Sequence, residues 1–180
     1  MSTDFHESSE QLRLRRVLGK FATGITVITT RAANGVRLGI TANSFNSVSL
    51  DPPLILWSLA KSADSLSAYK EAEHFAVHIL AADQLALSEH FARPQQEKFA
   101  TVPFTDGLGS APLIDGCAAR LQCRTHAIHD GGDHVIIVGE VLQYEEADRP
   151  GLVYYEGNYA VAAAHPDAAD PSHDRSDDQA

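Results

Sequence analysis

One hairpin signal constrains the fold of this chain more than any other local feature. Residues 25–30 read Ile-Thr-Val-Ile-Thr-Thr, a β-branched run that predicts a strand. Asn34-Gly35 follows, and this dipeptide is typical of the tightest antiparallel turns. The chain is therefore expected to return as a second, antiparallel strand over residues 36–40.

The remaining elements do not alternate in the way that a parallel sheet requires. Further strands are predicted at 54–59, 74–80, 118–128, 134–144 and 152–155. Helices are predicted at 10–21, 62–73 and 82–92. Most strands follow one another through hairpins or short connections, so the sequence predicts a mostly β fold, an antiparallel barrel with peripheral helices. The continuous apolar character of 54–59 predicts a strand buried on both faces.

A hydroxyl-rich segment, residues 39–53, lies between two of these predicted strands. It contains four hydroxyl side chains and two carboxamides but no basic residue. We interpret it as a loop, because Ser, Asn, Asp and Pro are turn formers. Its hydroxyls and backbone N–H groups also suit an anion or a polar ring edge, so a ligand loop and a plain connection both remain open.

Length and charge limit the classes of protein to consider. A chain of 180 residues is expected to form one domain, residues 1–163, and 44% of its residues are hydrophobic. Residues 164–180 are rich in Asp and lack large apolar residues, which predicts a disordered acidic tail. The net charge of −10 argues against a nucleic acid partner. No apolar run reaches membrane-spanning length, and the polar N-terminus is unlike a signal peptide, so we expect a cytoplasmic protein that does not enter a membrane.

The cysteines and histidines offer little sign of a metal site. Cys117 and Cys123 are expected to be reduced, buried thiols on one face of a strand. His126, His129 and His134 flank a predicted hairpin, and with the neighbouring aspartates they leave a metal site open as a minor alternative. His134 can equally serve as a structural hydrogen-bonding residue or cover a flat ligand at a barrel rim. We assign no metal ligands.

Familiar nucleotide-binding and hydrolase motifs are absent. Gly107-Leu-Gly109 is followed by Ser-Ala-Pro rather than by the remainder of a G-x-G-x-x-G fingerprint. The sequence also contains no P-loop, no H-E-x-x-H and no G-x-S-x-G. A dinucleotide, if bound, is not held in the Rossmann manner.

Several segments together resemble the flavin reductase-like family, the small reductase components of two-component flavin monooxygenases. The segments are 21–30, 39–53, 75–80, 91–92, 132–134 and 139–141. The resemblance spans about residues 12–160, and 39–53 is its most specific part. It implies an FMN-binding split β-barrel of Greek-key type that is usually a homodimer.

The same resemblance implies an activity. The family oxidises NADH or NADPH and reduces FMN or FAD, and the reduced flavin diffuses to a separate oxygenase. One alternative on the same fold is an enzyme that retains FMN and reduces another acceptor, such as a corrinoid or a metal complex. Another is a non-catalytic flavin-binding protein.

The resemblance also assigns site residues. It implies that the catalytic residue His134 contacts the nicotinamide and that Tyr159 lies near the same pocket. The residues implied to bind the flavin are Thr41, Ala42, Asn43, Ser44, Ser47, Ser58, Leu59, Lys61, Ser62, Ser65, Phe91, Ala92 and Arg93. Lys61 or Arg93 is expected to neutralise its phosphate.

Overall fold

The computed structural model describes residues 8–94 and 97–166. Its α-helices are α1 Ser9–Leu18, α2 Leu66–Glu71 and α3 Leu85–Ala92. Its strands are β1 Thr23–Gly24, β2 Thr26–Arg31, β3 Arg37–Ala42, β4 Asn46–Leu50, β5 Pro53–Ala60, β6 His74–Ile79, β7 Thr105–Asp106, β8 Pro112–Leu113, β9 Ala119–Gly131, β10 His134–Glu146, β11 Leu152–Tyr155 and β12 Asn158–Val161. The prediction of a mostly β fold with peripheral helices is confirmed.

Seven strands form the main sheet, in the order β3-β2-β6-β9-β10-β5-β4. Every neighbouring pair is antiparallel. The predicted first hairpin is confirmed, because β2 pairs with β3 from Thr26↔Ala42 to Arg31↔Arg37. Gly35 in its turn has φ 87°, a left-handed conformation that favours glycine. Strands β1, β11 and β12 form a smaller sheet, and β7 pairs with β8.

The two edges of the main sheet are joined directly by the chain. β3 and β4 lie at opposite edges, yet only residues 43–45 separate them in sequence. Three residues span at most about 14 Å between the flanking Cα atoms, so the sheet must curl until its edges meet. No ladder pairs β3 with β4 among the described strands. The result is a barrel split at this point, which we call the seam.

A serine side chain continues the pairing of β4 with β5 beyond the ladder. The Ser44 hydroxyl donates to the carbonyl oxygen of Ser58 at 3.1 Å and accepts from the Ser58 N–H at 2.9 Å. One side chain therefore satisfies both backbone groups of a β5 residue at the seam.

The two faces of β2 are buried in different hydrophobic cores. Ile28 belongs to the core inside the barrel, together with Trp57 and Phe75. Val27 belongs to a second core, where α3 and the small sheet cover the outer face of the barrel. Because successive side chains of a strand point to opposite faces, this double burial explains the uninterrupted β-branched run in the sequence.

The interpretation of residues 39–53 as one loop is wrong. The segment contains the end of β3 and all of β4, and the connection between them is residues 43–45 alone. β4 is an edge strand whose side chains are mostly exposed. Small polar side chains are tolerated there because no core contacts them, and their turn-like composition concealed the strand.

Two predictions about buried faces are also wrong. β5 does not bury both faces: Ile55, Trp57 and Leu59 are buried, while the alternate residues are partly exposed. The two cysteines do not share a face, since Cys117 precedes β9 and lies in the second core, whereas Cys123 lies in the barrel core. Both thiols are free, and burial raises their pKa to about 11 and about 12 respectively.

The three predicted helices are present but shorter than expected. A capping box between Ser8 and Gln11 starts α1. No residue of α1 is buried, and Leu14, Val17 and Leu18 are all more than half exposed. None of the helices in the described ranges has the length and apolarity needed to cross a membrane. The domain boundary near residue 163 stays a prediction, and tail residues 167–180 lie outside the described residues.

Candidate functional site

A cavity of about 500 Å³ opens at the seam. Its walls come from the end of β3 with the connection that follows, from β5, and from the start of β10. The volume is in the usual range for small-molecule and cofactor sites. The structure brings seven of the predicted site residues together here: Thr41, Ala42, Asn43, Ser44, Ser58, Leu59 and His134.

Strand register places the cavity on the outer face of the barrel. β10 pairs with β5 so that His134 opposes Ala60 and Ile136 opposes Ser58. Trp57 belongs to the barrel core. Because side chains alternate along a strand, Ser58, Ala60, His134 and Ile136 must point away from that core. A ligand in this cavity would lie against the outside of β5 and β10.

The hydroxyl protons at the seam are already donated within the protein. Thr41 Oγ1 donates to the backbone carbonyl of Ser88 on α3 at 2.6 Å. Ser44 donates to the Ser58 carbonyl. These two hydroxyls therefore offer a ligand lone pairs rather than donors, contrary to the expectation of hydroxyl donors in this segment. Donors for an anionic ligand must come from backbone N–H groups, Asn43 or His134.

An ion pair and a histidine–aspartate hydrogen bond lie beside the cavity, at its β9–β10 corner. Lys61 contacts Asp130, and its backbone N–H donates to the Asp133 carbonyl at 2.8 Å. His134 Nδ1 lies 2.7 Å from Asp133 Oδ1. The hydrogen bond from Lys61 lowers the pKa of Asp130, and that from His134 lowers the pKa of Asp133. With Nδ1 facing a carboxylate, Nε2 is the His134 nitrogen available to a ligand.

The other predicted site residues do not line the cavity. Lys61 follows a lining residue directly and lies at its rim. Phe91 is buried in the second core, and Arg93 lies 3.7 Å from Glu89. Tyr159 contacts the buried Ser88, with its hydroxyl 2.9 Å from Ser88 Oγ. The remaining members of this set are Ser47, Ser62, Ser65 and Ala92, of which all except Ser65 are exposed. Their roles toward a flavin stay predictions.

Five lining residues were missed by the sequence reasoning: Ile40, Trp57, Ala60, Gly131 and Ile136. The alternation of side chains along a strand could have identified two of them, Ala60 and Ile136. Once Ser58 and His134 are placed on one face, Ala60 and Ile136 must share it. The pairing of β5 with β10 was also needed, and local sequence does not supply it.

The cavity fits a flavin by size and by chemistry. The small or aliphatic side chains Ala42, Ala60 and Ile136 suit a flat ring, while Asn43 and His134 supply polar contacts.

An antiparallel split barrel with a cofactor-sized cavity at its seam defines the class of this protein. The chain belongs to the flavin reductase-like family, since residues 18–163 match the Flavin reductase like domain. This match confirms the resemblance identified from the sequence.

Two relatives match most of the chain. It is 47% identical over 145 residues to an FMN reductase (NADH) of Agrobacterium fabrum, covering 81% of this chain and 82% of the relative. It is 39% identical over 168 residues to an NADH-dependent FAD reductase of Streptomyces globisporus, covering 90% of each. The crystallised NADH:FAD oxidoreductase of Streptomyces globisporus C-1027, in complex with NAD and FAD fragments, aligns with a TM-score of 0.82 and 37% identity, covering 93% of this chain and 100% of that one.

Some relatives are longer. The reductase component of a flavin-dependent trigonelline monooxygenase from Acinetobacter baylyi is 45% identical over 150 residues, which cover 83% of this chain. The chain spans about half of that relative, 48% of its length.

A Gly39→Ala substitution tests how closely β3 packs against α3. A Cβ at Gly39 would lie 2.6 Å from Cδ1 of Phe91, a ring with no exposed surface. Because that ring has no room to move away, we expect a loss of about 1–2 kcal/mol in the free energy of unfolding, measured by urea denaturation. Gly24→Ala is the control, since nothing lies within 4 Å of its added Cβ. Equal midpoints for the two variants would contradict the close packing.

Proposed function

We propose that the protein is an NADH-dependent flavin reductase that reduces FMN or FAD and supplies the reduced flavin to a separate monooxygenase. The proposal rests on one cavity. Its lining includes both the end of β3, where the sequence most resembles the flavin reductase-like family, and His134 at the start of β10. The names of the relatives from A. fabrum and S. globisporus support the activity and the choice of NADH. The A. baylyi relative, a reductase component, supports the oxygenase partner.

The chain's own residues would bind and orient two substrates. Ala42, Ala60 and Ile136 would support the flavin ring, and His134 Nε2 would hold the nicotinamide close to it. A bound flavin would supply the redox chemistry as the hydride acceptor, with the nicotinamide as the donor. No acid or base of the protein is required for that transfer, so His134 acts by positioning.

The charges beside the cavity favour NADH over NADPH. Lys61 is paired with Asp130, and Asp133 adds a second carboxylate beside His134. A 2′-phosphate near this corner would meet these carboxylates and a lysine that is already paired. The ratio of kcat/KM for NADH to that for NADPH should therefore exceed one.

We also propose a cytoplasmic homodimer. Leu14, Val17, Leu18 and Phe21 form an apolar stripe of which every member is at least 56% exposed, and a second copy would cover it. Analytical ultracentrifugation should give a dimer, and Leu18→Glu should weaken it. Two free thiols and the use of NADH favour the cytoplasm.

A turnover measurement tests the proposed activity. Purified protein with NADH and excess FMN should oxidise many equivalents of NADH, at a rate that depends on the added flavin. A yellow protein that is bleached once without turnover would indicate a flavin-binding protein instead. Retention of FMN through gel filtration, with turnover only after another acceptor is added, would indicate the FMN-retaining alternative. No oxidation with either FMN or FAD would overturn the proposal.

A further inference from the structure

Thr41 lies between the cavity and α3, and its hydroxyl proton has a fixed destination. Thr41 lines the cavity, while its Oγ1 donates to the Ser88 carbonyl at 2.6 Å. Ser88 has no exposed surface, and its own hydroxyl lies 2.9 Å from the Tyr159 hydroxyl. The Ser88 carbonyl that accepts the Thr41 proton is therefore held in place, because Ser88 is buried and contacts Tyr159 of the small sheet.

A hydroxyl carries one proton and two lone pairs. Once its proton is donated to α3, the Thr41 oxygen can only accept hydrogen bonds from a ligand. It would repel the carbonyl oxygens of a flavin ring and the oxygens of a phosphate, which are also acceptors. It would attract an N–H or O–H group.

On the basis of the proposed flavin reductase function, we propose that Thr41 is a specificity-determining residue that accepts a hydrogen bond from a donor group of the flavin. An oxidised flavin carries such donors at its ring imide N3–H and at its ribityl hydroxyls. Ser88 and Tyr159 are positioning residues for this contact, because they hold the carbonyl that takes the Thr41 proton. This gives Tyr159 an indirect role at the cavity that it does not line.

Ser44 shows why Thr41 is singled out. The Ser44 hydroxyl both donates to and accepts from the backbone of Ser58. It has a single lone pair left, and its bonds hold the seam together. Thr41 makes one protein contact and keeps both lone pairs, so it is the better acceptor for a ligand donor.

Equilibrium binding separates this role from a structural one. Quenching of flavin fluorescence gives dissociation constants for FMN, N3-methyl-FMN and 2′-deoxyribityl-FMN with wild type, Thr41→Val and Thr41→Ser. Wild type should bind FMN roughly three- to ten-fold more tightly than the analogue that lacks the contacted donor, as one neutral hydrogen bond allows. Thr41→Ser should keep that ratio. Thr41→Val, with the same shape and no lone pairs, should lower it towards one.

The two analogues identify the donor, and the outcomes separate the two proposals. If Thr41→Val loses the preference for FMN over N3-methyl-FMN alone, the contacted donor is the ring imide. If it loses the preference for FMN over the 2′-deoxyribityl analogue alone, the contacted donor is in the ribityl chain. A Thr41→Val variant that weakens binding of all three flavins equally overturns the inference. So does a wild type that binds all three alike, which needs no variant to fold. Failure of the proposed function is a different result: no NADH oxidation with FMN, whatever these binding ratios are.

Discussion

Replacing His134 with alanine is expected to raise the KM for NADH by roughly ten- to a hundred-fold while the KM for FMN changes little. His134 is half exposed at the cavity, and its Nδ1 faces Asp133, so Nε2 is the nitrogen that would meet the nicotinamide. Leaving a polar group of the ligand unpaired costs about 1.4–2.7 kcal/mol, which corresponds to that range. Steady-state kinetics with each substrate varied in turn provides the measurement.

His129→Ala is the matched control for this variant. His129 is exposed on the same hairpin and pairs with Ile136, but it does not line the cavity. Both of its KM values should remain close to those of the wild type. An equal rise in the two KM values of His134→Ala would place His134 in the flavin site, and no change in either would remove it from substrate binding.

The local part of the fold was predictable because short-range chemistry determines it. The Asn34-Gly35 turn and the β-branched run before it were sufficient to predict the pairing of β2 with β3. The strand at 152–155 was predicted with its observed bounds. Its partner β12 was missed, because Asn158–Val161 is only 4 residues long and directly follows a turn at Gly157.

The seam was not predictable from local patterns. β4 is stabilised by its pairing with β5 and not by burial of its own side chains, so its two serines and one asparagine resembled a loop. The proximity of its end to β3 follows from the strand order of the whole sheet. Long-range pairing of this kind leaves no periodic signal in one sequence.

Sequence reasoning identified residues of the cavity but not the direction of their hydrogen bonds. The resemblance to a family brought Thr41, Ser44 and His134 together, and the structure places all three at one cavity. Whether a hydroxyl donates or accepts depends on its partner, and Ser88 is far from Thr41 in sequence. That partner could be identified only after α3 was seen to pack on β3.

A buried histidine links stability to pH. His78 on β6 has no exposed surface, and its ring contacts backbone groups of Val27 and Ile114, two residues of the second core. The Ile114 N–H donates to its Nε2 at 3.0 Å, so Nδ1 carries the proton and donates to the Val27 carbonyl at 2.9 Å. A second proton would break the contact with Ile114. The pKa of His78 is lowered from 6.5 to about 4, mainly because of burial. The charge of Arg120 contributes to this lowering, while the hydrogen bond to Val27 and the Asp115 carboxylate oppose it.

The free energy of unfolding should therefore decrease as the pH falls from about 6.5 to about 4, because in this window the unfolded chain takes up a proton at His78 that the folded chain does not. The pKa difference corresponds to about 3 kcal/mol. His78→Gln removes this titration. The variant should be less stable than wild type at pH 7, and the difference in the free energy of unfolding, measured by urea denaturation, should be smaller at pH 4 by about 3 kcal/mol. His126→Gln, a change at an exposed position, should show no such narrowing. A deficit that is equal at both pH values would mean that His78 is protonated in the folded protein at pH 4 as readily as in the unfolded chain.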